Sequence, residues 1–168
     1  MKYTSAEAQK LLRALKEEEN QILAKEKSSF LFNAAVNEDV EAVRPEYSLQ
    51  KTSEVLAEVG RKIRTVKHAI NVFNTTTEIM DGITIDEALV LLPQLGDRRD
   101  TLKQMAATPK MERARVYGTG ASGVIDYKYA NFDPEYARQK FINVQSQIDK
   151  IQLALDRVNN TATMEIEL

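Results

Sequence analysis

Leu56, Val59, Ile63, Val66, Ile70 and Phe73 alternate spacings of three and four residues. Phe141, Val144, Ile148, Ile151, Leu155 and Val158 repeat that alternation in the same order and at a constant offset. Such spacing keeps apolar side chains on one stripe of an α-helix, so each run predicts a long helix with a coiled-coil-like seam. An earlier pair of segments is also matched. TSAEAQKLLRAL from Thr4 and TIDEALVLLPQL from Thr84 share the pattern T-x-x-E-A-x-x-L-L-x-x-L, with Leu15 answering to Leu95 at its end. Thr4 with Glu7, and Thr84 with Glu87, have the spacing of a capping box, which predicts a helix start at each.

The endings correspond too. INVFNTTTEI follows the first seam and LDRVNNTATMEI closes the second. Asparagine and threonine favour helix ends, so both long helices are expected to stop near Asn74 and Asn159. The β-branched stretches that follow, Thr76 to Ile79 and Thr163 to Leu168, predict short strands. Asp81-Gly82 is the expected turn between halves. The predicted fold is therefore mainly α: two tandem-duplicated αα-hairpins, pseudo-repeats 1–81 and 82–168, in a single-domain, four-helix, coiled-coil-like bundle with a small β-hairpin and short terminal strands. Pro93 and Gly96 predict a kink or weak section in the third long helix. Glu18 and Glu19 in the first long helix match Arg98 and Arg99 in the third by position. They are read either as two solvated faces or as an ion pair across the bundle.

Between the helices of each half lies a non-helical tip. The first, SSFLFNAAVNEDVEAVRPEYS from Ser28, carries Glu38, Asp39, Glu41 and Glu46 against Arg44. The second, about Thr108 to Asn131, carries Lys110, Arg113, Arg115 and Lys128 against Glu112 and Asp126. One tip is acidic and the other basic, which suits complementary self-association. The second tip contains GTGASG from Gly118 to Gly123, a literal match to the G-x-G-x-x-G of dinucleotide-binding turns. That chemistry needs a buried strand before the glycines and a helix opening at them. Here the preceding KMERARVY is polar, VIDYKYANF reads as a strand, and the next helix begins only at Asp133-Pro134. The glycines are therefore expected to turn a β-hairpin from RVY to VIDYKY. Tyr127 and Tyr129 should share one strand face, with Lys128 and Asp126 on the other; an aromatic face of this kind is expected to cover a core or an interface. Arg113, Arg115, Tyr117, Tyr127, Lys128 and Tyr129 form the candidate interaction surface.

Composition narrows the function classes. The 168 residues are 43% hydrophobic and 29% charged, which is globular, and the formal charge of −2 gives no global pull toward nucleic acid or anionic membrane. The absence of cysteine removes thiol catalysis, disulfides and thiolate metal sites, and a single histidine, His68, leaves little for zinc. His68 falls at an outward position of its helix. There is no Glu-x-x-His motif for a di-iron site, and no nucleophile, base and orienter assemble from spacing. No catalytic, metal-ligating or cofactor-binding residue is nominated. No signal-peptide core or membrane-length apolar run is present, which makes a cytoplasmic protein the expectation.

MKYTSAEA, INVFNTTTEIMDGITIDEAL, IDYKYANFD and VNNTATMEIEL together resemble an uncharacterised bacterial family of septicolysin-like proteins. The resemblance implies a mainly helical protein of about this size and supplies no functional residues; the family's label suggests a cytolysin. The functional expectation is a non-enzymatic helical interaction protein that forms a homo-oligomer and needs no cofactor. A membrane-active toxin-like factor is one alternative. Nucleic-acid binding through Arg115, Tyr117, Tyr127 and Lys128 is another.

Overall fold

The computed structural model describes residues 1–114 and 126–168, which form a mainly helical chain with three antiparallel strand pairs. Strand β1 (Lys2–Thr4) leads into α1 (Ser5–Ser29). A single-turn helix, α2 (Val40–Val43), interrupts the connection to α3 (Leu49–Thr76), which ends in β2 (Glu78–Met80). The second half runs β3 (Ile83–Thr84), α4 (Ile85–Ala107), β4 (Met111–Arg113), β5 (Tyr127–Tyr129), α5 (Pro134–Thr161) and β6 (Thr163–Glu165). Contacts group the chain into two compact units, Met1–Thr77 with Arg157–Leu168, and Glu78–Asp156.

Both expected capping boxes form, with nearly identical geometry. The Thr4 N–H donates to Glu7 Oε2 at 2.8 Å while the Glu7 N–H donates to Thr4 Oγ1 at 3.4 Å. The corresponding distances at Thr84 and Glu87 are 2.8 and 3.3 Å. Each glutamate thereby has its carboxyl held below the usual value, chiefly by the threonine backbone N–H and then by the hydroxyl.

The long helices α3 and α5 each span 28 residues and have matching ends, Leu49 against Pro134 and Thr76 against Thr161. Ser48 and Asp133 cap their starts: Ser48 Oγ accepts from the Lys51 N–H, and Asp133 Oδ1 from the Glu135 N–H. Their ends fall within two residues of the expected stops near Asn74 and Asn159, each at a threonine. Thr76 Oγ1 donates to the Val72 carbonyl at 2.7 Å, and Thr161 Oγ1 to the Arg157 carbonyl at 2.8 Å. Bonding to the carbonyl four residues back is how a threonine satisfies its own hydroxyl inside a helix. The following backbone N–H groups, of Thr77 and Ala162, then close the ladders at 2.9 Å.

All twelve seam positions are buried or half-buried, and Val66 is fully buried. Among the described residues, every fully buried side chain is apolar. In the first unit α1 packs antiparallel on α3, burying Ala8 and Leu15. Tyr47, ahead of α3, donates its hydroxyl to Glu26 Oε1 near the end of α1 at 2.7 Å. Strand β1 pairs with β6 in the register Lys2–Glu165, Tyr3–Met164 and Thr4–Thr163. The short strand β1 was not expected from the sequence. In the second unit β2 and β3 form a hairpin whose turn places Asp81 at φ 41° and Gly82 at φ 78°. Positive φ at both central residues is the type I′ signature, in which glycine is free of the penalty a side chain would bring. Helix α4 runs from Ile85 to Ala107 with Pro93 inside it.

Candidate interaction surfaces

Two excursions from the helices carry the exposed apolar groups that matter most. Residues 30–48 join α1 to α3 with only the single turn α2 as regular structure. Connections of this length without structure of their own are uncommon in compact domains and usually serve a function. Phe30, Leu31, Val36, Val40 and Val43 all face solvent here, with Leu31 76% exposed. Its one cation, Arg44, is committed: Nη2 and Nε reach the two Glu41 carboxylate oxygens at 2.7 and 2.9 Å, and the guanidinium lies 5.2 Å from the Phe32 ring centre. The Arg44 hydrogen bond holds the Glu41 carboxyl below its usual range. Glu38, Asp39 and Glu46 are left to make this surface anionic, although Glu38 and Asp39 also accept backbone N–H groups that shape the loop.

The second excursion contains the expected hairpin: Tyr127–Tyr129, the end of VIDYKY, is paired, with Met111–Arg113 as its partner, while RVY lies outside the described residues. Met111 pairs with Tyr129, Glu112 with Lys128 and Arg113 with Tyr127, closed by Ala114 N–H to Asp126 O and Ala130 N–H to Lys110 O. Strand pairing here is set by backbone bonds in an exposed two-stranded ribbon, so it follows no buried hydrophobic period. Alternation puts Met111, Arg113, Tyr127 and Tyr129 on one face, and Glu112 and Lys128 on the other. Tyr127 is 45% exposed and Tyr129 70%, so of the two expectations for the aromatic face, a core or an interface, a core is not what it covers. Of the six nominated surface residues the hairpin brings together Arg113, Tyr127, Lys128 and Tyr129. Arg115, Tyr117 and the expected GTGASG turn lie outside the described residues.

One feature of this unit was not anticipated from the sequence. Between α4 and α5 lies an apolar groove of about 420 Å³ lined by Leu102, Met105, Phe132, Tyr136, Ala137 and Val144, with Arg98, Lys140 and Asp133 at its margin. Lys140 Nζ sits 5.3 Å from the Tyr136 ring centre. The signal available in the sequence was Arg98, but its register relative to Lys140 depends on how the helices are rotated.

His68 is exposed on α3, as its spacing predicted. The Arg99 guanidinium pairs with its neighbour Asp100 at 2.8 Å. Among the described residues no group of three or more histidine, aspartate or glutamate side chains is placed to hold a metal ion, and no helix is long and apolar enough to cross a membrane.

Comparisons with known proteins give a fold and no activity. No family model matches the chain, and no curated protein matches it. Among solved structures it is similar to a functionally unknown conserved protein from Corynebacterium diphtheriae. The two are 16% identical, the match covers 98% of this chain and 100% of that one, and the TM-score is 0.56. At that identity the likeness establishes a shared mainly helical fold.

Proposed function

We propose that this chain is a non-enzymatic, self-associating helical protein whose two excursions are its contact surfaces, working in the cytoplasm without a cofactor. The observation that carries the reading is the pairing of exposure with charge. Residues 30–43 expose apolar side chains beside Glu38 and Asp39, while the hairpin exposes Met111, Tyr127 and Tyr129 beside Arg113. Exposed apolar groups rimmed by complementary charges are the features of a surface that is covered in use.

The same reading takes the chain as a tandem duplication. Helices α3 and α5, their terminal threonine bonds and the strands after them recur at one constant offset, and the two capping boxes recur at a slightly shorter one. The first strand of each half pairs with the last strand of the other, β1 with β6 and β3 with β2. Two copies of a half-length chain related by a two-fold axis would make that exchange between chains, so self-association is the natural ancestral state of such a fold.

Light scattering on the full chain tests the proposal. The wild type should exceed the mass of one chain, and Tyr127→Ser with Tyr129→Ser should lower it while leaving helicity unchanged. A wild type that stays at the mass of one chain up to high concentration would dispose of the reading.

A further inference from the structure

We infer that the groove between α4 and α5 is the receptor for residues 30–43 of a second copy of the chain; this rests on the self-association reading and adds to the hairpin surface a seat for the acidic excursion. The groove has an apolar floor, with Leu102 and Ala137 buried and Met105 and Phe132 beside them. Its margin is cationic. Arg98 comes from α4 and Lys140 from α5, and neither has a carboxylate partner among the described residues. The one acid at the margin, Asp133, is committed to capping α5 through the Glu135 N–H at 3.0 Å. A groove of about 420 Å³ accepts a few apolar side chains and is too small for a whole helix.

The fitting occupant is therefore a short, irregular, apolar segment with acidic neighbours. Residues 30–43 have that chemistry. Leu31 and Val36 stand clear of the rest of the chain, and Glu38 and Asp39 follow within three residues of Val36. The apolar groups supply the buried area and the two acids meet the two cations that lack carboxylate partners, which fixes the register of the contact. The contact is heterologous, since the loop of one copy enters the groove of the next. It closes into a two-fold dimer when both copies exchange loops, and into a ring or filament otherwise.

Charge exchange in the full-length protein tests this, with sedimentation velocity as the readout and circular dichroism as the check on folding. Arg98→Glu with Lys140→Glu should weaken association about ten-fold or more, as should Glu38→Lys with Asp39→Lys; Arg98→Gln with Lys140→Gln is a milder version of the first. All four reversals in one chain should restore association toward wild type. Wild-type association in the groove variants, or no recovery in the four-fold exchange, overturns the groove assignment while leaving self-association standing. A wild type that is monomeric throughout removes the underlying reading instead. Should the variants lose thermal stability with a monomeric mass throughout, the second copy as occupant is also refuted.

Discussion

Thr4→Ala and Thr84→Ala should cost the same, and the size of that cost follows from the geometry. Each substitution removes the hydroxyl that accepts the N3 backbone N–H, leaving that donor to water. Loss of a threonine cap typically costs about 0.5–2 kcal/mol. Two features place these sites in the lower half of that range. The capping bonds lost are long, 3.4 Å at Thr4 and 3.3 Å at Thr84, and the hydroxyl-to-carboxylate bonds lost with them, 3.0 and 2.9 Å, are exposed to solvent. The shorter bonds of each box, from the threonine backbone N–H to the glutamate at 2.8 Å, survive in alanine. The expected cost is about 0.5–1 kcal/mol at each site, or roughly 1–4 °C in melting temperature for a chain of this size. Thr→Ser, which keeps the hydroxyl, should recover most of it. Urea melts followed by circular dichroism measure all four variants. Unequal costs, with one site silent and the other above about 1 kcal/mol, would refute the claim that the two helix starts are equivalent. The boxes also carry a pH signature. Glu7 and Glu87 are lowered in the folded chain, so the unfolded chain binds their protons first as pH falls. Their contribution is complete above the usual glutamate value near 4.5 and is lost as pH drops through the lower folded value. The double alanine variant should show a shallower loss of stability below that point, since the hydroxyl is one of the groups lowering each carboxyl.

Two further outcomes concern the interior and the turn. Val66 is fully buried, so Val66→Ala removes two methyl groups and leaves a cavity, with an expected loss of about 2–3 kcal/mol in the same melts. A loss under about 1 kcal/mol would mean that the seam is loosely packed there. At Gly82 an added Cβ would meet nothing within 4 Å, so the cost of Gly82→Ala comes from positive φ alone and should be about 1–2 kcal/mol. Gly82→Asn should lose less, because asparagine tolerates that conformation; equal losses would point to a steric cause instead.

The parts of the fold that were legible from sequence are those written in short-range chemistry. A three-four alternation from Leu56 to Phe73 and from Phe141 to Val158 marks a buried stripe whatever packs on it, and all twelve positions lost exposure. The capping boxes need only residues three apart, and both formed. What stayed hidden depends on partners far along the chain or on no burial at all. Strand β1 exists because Lys2 to Thr4 find β6 at the other end of the sequence, which three residues cannot advertise. The hairpin strand Met111–Arg113 is exposed on both faces, so it carries no hydrophobic period to mark it in the sequence. At the candidate surfaces, the opposite charges of the two excursions were readable directly. The groove was not: Arg98 and Lys140 meet across it only through the rotation of α4 against α5.

The central claim is that oppositely charged excursions hold copies of this chain together. Sedimentation equilibrium of the full-length protein, run over a concentration series at low salt and at about 1 M salt, tests it most directly. At the higher salt the screening length shrinks to about 3 Å, too short for solvent-exposed charges to attract across a forming interface. The expected result is a weight-average mass above that of one chain at low salt, rising with concentration and falling toward one chain at high salt. A mass of one chain under every condition, or an oligomer indifferent to salt, would contradict it.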